Sequence, residues 1–182
     1  MTKALVFFSV ALGGLAWSSA PYSATASGTI NVSITLETGC VVNSQHMLNG
    51  DTGGNFGTLG FGSVPTVFTQ QDVAVNGGGA NGISVVCSSG TTPQFSITSG
   101  ANDGSVDGGS PGNHAMKNGA NVINYAIFTD AARTNQLENG VAVNLAPFTD
   151  NTPQTIELYG RAYGSSNVAG AYSDTLNVTL SW

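Results

Sequence analysis

Basic side chains are the scarcest feature of this sequence: four Lys and Arg among 182 residues, against ten Asp and Glu, give a formal charge of -6. Nucleic acid binding needs a cationic surface, so nucleic acid is excluded as a partner. Charged residues make up only 8% of the chain, and little Ala, Leu, Glu and Lys recurs at helical spacing, which disfavours a helical fold. Histidine is limited to His46 and His114, each alone in polar, glycine-rich sequence with no carboxylate at ligand spacing. There is no Gly-x-Ser-x-Gly elbow for a serine nucleophile. Glutamate is limited to Glu37, Glu138 and Glu157. A paired-carboxylate hydrolase could draw its partners from distant strands, yet each glutamate sits in or beside an expected strand, where a solvent-facing position explains it more simply. The sequence therefore reads as no enzyme, with no cofactor and no metal.

Long apolar runs are also missing after the first residues. Lys3 followed by the apolar stretch 4–17 and the small residues Ala24, Thr25 and Ala26 reads as a secretory signal over residues 1–26, with the mature chain starting at Ser27. Cleavage after Ala20 is disfavoured by Pro21. A membrane anchor is the alternative, but the stretch is short for a bilayer span and contains Gly13 and Gly14. Cysteine is limited to Cys40 and Cys87, both in the exported part. No close Cys-x-x-Cys spacing points to metal or redox chemistry, so a disulfide is expected. Closing a loop of about 46 residues would contribute up to about 4 kcal/mol by chain-entropy arithmetic.

What the chain does have is alternation. In residues 28–36, Ile30, Val32, Ile34 and Leu36 alternate with small polar residues, which puts all four on one face of an extended strand. Further short strands are expected at residues 83–87, 95–97, 122–128, 141–145, 155–163 and 175–182, separated by Gly, Asn, Asp and Pro turns. Phe56, Leu59 and Phe61 read as a loose or bulged edge carrying core aromatics. Residues 64–68 contain Pro65 and read as an edge or a strand start. In 155–163, Ile156, Leu158, Gly160 and Ala162 take one face. In 175–182, Leu176, Val178, Leu180 and Trp182 do. Seven or eight short strands imply an all-β sandwich in one domain. The Asp103 and Asp107 loop has calcium-like composition but lacks the spacing and terminal Glu of a calcium loop, and reads as a solvated turn. Tyr159, Tyr163 and Tyr172 would suit a sugar-stacking platform, but sheet aromatics are the simpler reading.

Four features together resemble the spore coat U domain family. They are the alternating strand leading into Thr38, Gly39 and Cys40; the run Phe56, Gly57, Thr58, Leu59, Gly60, Phe61, Gly62; residues 125–135, above all Asp130, Ala131, Ala132, Arg133, Thr134 and Asn135; and the ending Gly170, Ala171, Tyr172, Ser173, Asp174, Thr175, Leu176 with Val178 and Leu180. Cys87 is also placed as in the family, and Trp182 stands where such proteins commonly carry an aromatic residue. The resemblance covers the whole expected mature chain.

It implies an all-β, incomplete immunoglobulin-like β-sandwich that lacks its last strand. Residues 27–38 would be an N-terminal donor strand and residues 39–182 the pilin domain. Ile30, Val32, Ile34 and Leu36 would enter the groove of the next subunit. Leu176, Val178, Leu180 and Trp182 would form one wall of the acceptor groove. The function implied is a structural subunit, rod-type, of an archaic chaperone-usher pilus, serving attachment and biofilm formation. Its partners would be identical or related subunits, a periplasmic chaperone and an outer-membrane usher. It would cross the periplasm and end in a cell-surface fimbrium. A secreted, self-contained binding module for glycans or surface ligands, and a spore coat protein, stand as alternatives.

Overall fold

The computed structural model describes residues 24–78, 82–164 and 168–182. Most of the expected signal over residues 1–26 lies outside these. The chain divides into two units, residues 1–35 and residues 36–182. In the described part of the first unit, residues 24–35 form no strand or helix.

The second unit is built from eleven strands among the described residues: β1 (Gly39–Val42), β2 (Gln45–Leu48), β3 (Gln70–Ala74), β4 (Ile83–Cys87), β5 (Gln94–Gly100), β6 (His114–Asn118), β7 (Asn121–Phe128), β8 (Val143–Asn144), β9 (Gln154–Ile156), β10 (Tyr159–Tyr163) and β11 (Leu176–Ser181). A single 3-10 turn, Asp103–Ser105, is the one helical element described. The strands form three sheets, ordered β2-β1-β4-β9, β3-β10-β7-β6 and β11-β5-β8. Every strand pairing is antiparallel.

The strands form where period-two alternation turns one face inward. Ile83, Val85 and Cys87 are buried on β4, Cys40 and Val42 on β1, and Phe95 and Ile97 on β5. These meet Ile123, Tyr125 and Ile127 of β7 and Ile156, Leu158 and Ala162 in one apolar core. The disulfide between Cys40 and Cys87 joins directly opposed residues of β1 and β4.

The expected strand 155–163 is split. Ile156, Leu158, Gly160 and Ala162 do all face inward. However, β9 pairs with β4 and β10 pairs with β7, so the chain changes sheet between them. Residues 64–68 form a turn rather than a strand. The run 56–61 makes one bridge, Thr58 to Asn76, while Phe56, Leu59 and Phe61 pack against the core. Gly57 permits that bridge: its φ is +112°, and a Cβ there would lie 2.6 Å from the Asn76 carbonyl oxygen.

The run 130–135 is a structural joint. The Asp130 carboxylate accepts from the backbone N–H of Thr134 (3.1 Å) and of Asn135 (2.7 Å), and from the Thr134 hydroxyl (2.9 Å). The Asn135 N–H holds that carboxyl below the usual carboxylate range. Arg133 then donates to the carbonyls of Ala131 (2.8 Å), Gly160 (3.2 Å) and Val73 (3.1 Å), tying the end of β7 to β10 and β3. Its guanidinium also lies 5.6 Å from the centre of the Tyr159 ring.

Candidate functional site

Among the described residues β11 stands at the end of its sheet and pairs only with β5, so its other edge faces no described strand. An open edge presents a row of backbone donors and acceptors to any strand that can reach it. Leu176, Val178 and Leu180 alternate with exposed residues along β11 and, with Trp182, stay only partly buried although they pack against the core.

Two hollows lie along this edge, and a third continues from them beyond β11. The middle one, about 470 Å³, is lined by Phe95, Ile97, Tyr125 and Ile127, and by Phe56, Leu59, Phe61, Leu176 and Val178. The second, about 930 Å³, is lined by Met47, Leu48 and Phe56 together with Leu176, Val178, Leu180 and Trp182. The third, about 480 Å³, is lined by Phe61, Phe68, Met116, Val168 and Tyr172. The middle hollow shares Phe56, Leu176 and Val178 with the second and Phe61, Met116 and Tyr172 with the third, so they form a row.

Irregular chain carrying aromatic side chains lines the groove together with β11. Phe56 lies 6.0 Å from Phe95, and Phe61 meets Tyr125 edge-on at 6.1 Å, centre to centre. Leu59 occupies a notch left by Gly160, where a Cβ would come within 2.7 Å of the leucine methyl.

The start of β11 is fixed by polar groups. Asp174 accepts from the Tyr125 hydroxyl at 2.7 Å, and from the Asn102 backbone (3.1 Å) and amide (2.9 Å). Burial, and then the Asp174 carboxylate, push the Tyr125 phenol up, so it remains a proton donor. Beside this, the fully buried His114 contacts Asp103 through Nδ1 at 2.8 Å and stacks on Tyr125. Asp103 also accepts from the Gly100 N–H (2.6 Å) and the Asn139 amide (2.9 Å). Burial acts to raise the Asp103 carboxyl, but its bonds to Gly100, His114 and Asn139 outweigh that and hold it below the usual range.

A depressed carboxylate stabilises the fold above its unfolded pKa, about 3.9, and that contribution is lost as pH falls through the lower folded value. Acid unfolding is therefore expected to set in below about pH 4. Asp103→Asn should flatten this part of the stability curve, as read by denaturant midpoints from pH 6 downward. Equal acid sensitivity in the variant and the parent would contradict the assignment.

The other candidate side chains do not converge. Asp103 is engaged as above, and Asp107 caps its own turn through the Gly109 N–H at 3.1 Å. His46 is exposed on β2. Among the described residues no group of three His, Cys, Asp or Glu is placed to hold a metal. Glu37 is exposed, Glu138 accepts from Asn113 and Gln136, and Glu157 accepts from Tyr159. Tyr159 and Tyr163 share β10, whereas Tyr172 lines the groove and donates to the Val168 carbonyl. The polar lock of Asp174, Tyr125, Asn102, Asp103 and His114 was not anticipated from the sequence; it joins residues up to 72 positions apart.

Of the four proposed donor side chains, Ile30 is 91% exposed, Val32 89%, Ile34 83% and Leu36 85%. Such exposure is extreme for large apolar residues on a regular alternation.

Fold and site together define a class: an all-β domain of antiparallel sheets with an apolar groove along the open edge of β11. The chain belongs to the Spore Coat Protein U domain family, whose model matches residues 26–179. Among solved structures, one similar chain comes from the CsuC-CsuE chaperone-tip adhesion subunit pre-assembly complex of the archaic chaperone-usher Csu pili of Acinetobacter baumannii. The likeness has a TM-score of 0.47 at 20% identity, and spans 81% of this chain and 40% of that one. No curated protein matches.

Proposed function

We propose that this protein is a structural, rod-type subunit of a chaperone-usher pilus. Residues 27–38 of one copy insert beside β11 of the next and complete an immunoglobulin-like sandwich that lacks its last strand. Leu176, Val178, Leu180 and Trp182 wall the acceptor groove, and Ile30, Val32, Ile34 and Leu36 fill it. The observation that carries this reading is the pairing of an open-edged apolar groove with four exposed, alternating apolar side chains in the same sequence. Each needs what the other offers.

The contact is head-to-tail, so repetition builds a filament instead of a closed ring. In transit through the periplasm a chaperone strand occupies the groove, and an outer-membrane usher exchanges it for the donor strand. The surface attachment and biofilm role follows from the filament. The glycan-module reading lacks support from convergent aromatic side chains, and no observation favours it.

The test is the behaviour of the mature chain, residues 27–182, made without a chaperone. Size-exclusion chromatography should give concentration-dependent oligomers, and deletion of residues 27–38 should remove the ordered series. A stable monomer whose residues 28–36 are rigidly paired in its own sheet would contradict the proposal.

A further inference from the structure

We propose that Cys40, Cys87, Gly39 and Ser88 form a force-bearing anchor at the root of residues 27–38, which passes tension from that segment into the sheet without peeling β1. The use made of the anchor rests on the donor-strand reading above; its geometry does not. The segment joins the folded unit at Gly39, the first residue of β1. From there β1 is held to β4 by only three opposed pairs, Cys40 with Cys87, Val41 with Val86, and Val42 with Val85.

A pull on residues 27–38 loads β1 at its first residue. In an antiparallel ladder loaded from one end the pairs carry the load one after another, so each opens almost alone. Three pairs give little resistance to that geometry. The covalent bond sits at the first of the three, which is the pair a peeling force would reach first.

Just outside it, Ser88 grips Gly39 by three bonds. Its hydroxyl accepts from the Gly39 N–H at 3.0 Å and donates to the Gly39 carbonyl at 3.1 Å, and its own N–H donates to that carbonyl at 2.9 Å. Tension entering at Gly39 is thus handed to Cys87. That residue ends β4, an inner strand flanked by β1 and β9 whose Ile83, Val85 and Cys87 are buried. A disulfide that served folding alone could close the same loop from many positions. This one stands at the point where load would enter.

Single-molecule stretching of the mature chain, with handles at residues 27 and 182, tests the anchor. The oxidised chain should open in one high-force event. Reductant added to the folded, tethered chain should produce an earlier event at no more than half that force, as β1 peels. It should also release about 17 nm of further length, from the 47-residue separation of the cysteines at ~0.36 nm per residue. Under reductant, Ser88→Ala should lower the first force further. A first rupture at equal force with and without reductant, differing only in length, would overturn the anchor. Filament formation is scored separately on unstretched protein. A chain that ruptures as expected yet assembles nothing overturns the pilus reading and leaves the anchor standing.

Discussion

Ile34→Asp is expected to abolish filament assembly while leaving the subunit folded and bound to its chaperone. The reason is local to the side chain. Ile34 is 83% exposed in the free chain, so the folded subunit does not depend on it. In the filament it would enter an apolar hollow of the neighbour, where a carboxylate loses water and finds no partner. A loss of about 4 kcal/mol lowers occupancy about a thousandfold.

The margin for such a loss is small. Burying four Ile, Val or Leu side chains contributes about 6–12 kcal/mol. Association costs about 4–15 kcal/mol. The surplus comes from backbone pairing along β11, at about 0.5–1.5 kcal/mol per hydrogen bond. Ser33→Asp, on the opposite face of the same strand, should assemble nearly as the parent does, because its side chain stays in water. Co-purification with the chaperone, followed by counting of surface filaments, separates binding from assembly. Normal filaments from Ile34→Asp, or equal damage from Ser33→Asp, would show that the donor face is wrongly assigned.

Val178→Asp is expected to do more harm, at an earlier step. Val178 lines both the middle and the second hollow and stands on the inward side of β11. Every strand that fills the groove, from a chaperone or from a neighbour, would bury the new carboxylate. The subunit should therefore fail to co-purify with the chaperone, form no filaments and be depleted from the periplasm. Thr179→Asp points to the exposed side of the same strand and should be tolerated. The two sites make opposite demands on the intermediate: the donor variant is captured and then stalls, whereas the groove variant is not captured at all. Quantifying the chaperone-bound subunit in both variants reads the difference directly, and equal capture would contradict the division into donor and groove.

Much of this was legible in the sequence wherever one face of a strand meets the core. β4, β5, β9 with β10, and β11 announce themselves by alternating apolar residues, and β7 by a nearly continuous apolar run. The strands that escaped notice are β1, β2, β3 and β6. β1 is an inner strand of four residues, and the other three each stand at the edge of a sheet. In β2 only Met47 is buried, and in β3 no residue is. β6 buries His114 and Ala115 but carries little large apolar surface. An edge strand held mainly by backbone bonds leaves no hydrophobic period to read.

β11 breaks that pattern informatively, because it is an edge strand with the sequence of a central one. Its apolar face packs against the core yet stays partly open, as the proposed donor strand would require. The same holds for residues 28–36, whose alternation fits a strand although residues 24–35 form none in the described chain. The polar lock around Asp174 and His114 was not legible, because single Asp, Asn and His residues in loops carry no spacing signal until the fold brings them together.

The central claim is that the strand beside β11 in the assembled state belongs to another copy. The most direct measurement is the structure of the filament by electron cryo-microscopy, at a resolution that traces the chain between neighbouring subunits. The account expects residues 28–36 of one copy to run along β11 of the next, with Ile30, Val32, Ile34 and Leu36 turned into the groove against Leu176, Val178, Leu180 and Trp182. A filament in which residues 28–36 pair with β11 of their own chain, or in which the groove stays empty and subunits meet through other surfaces, would contradict it.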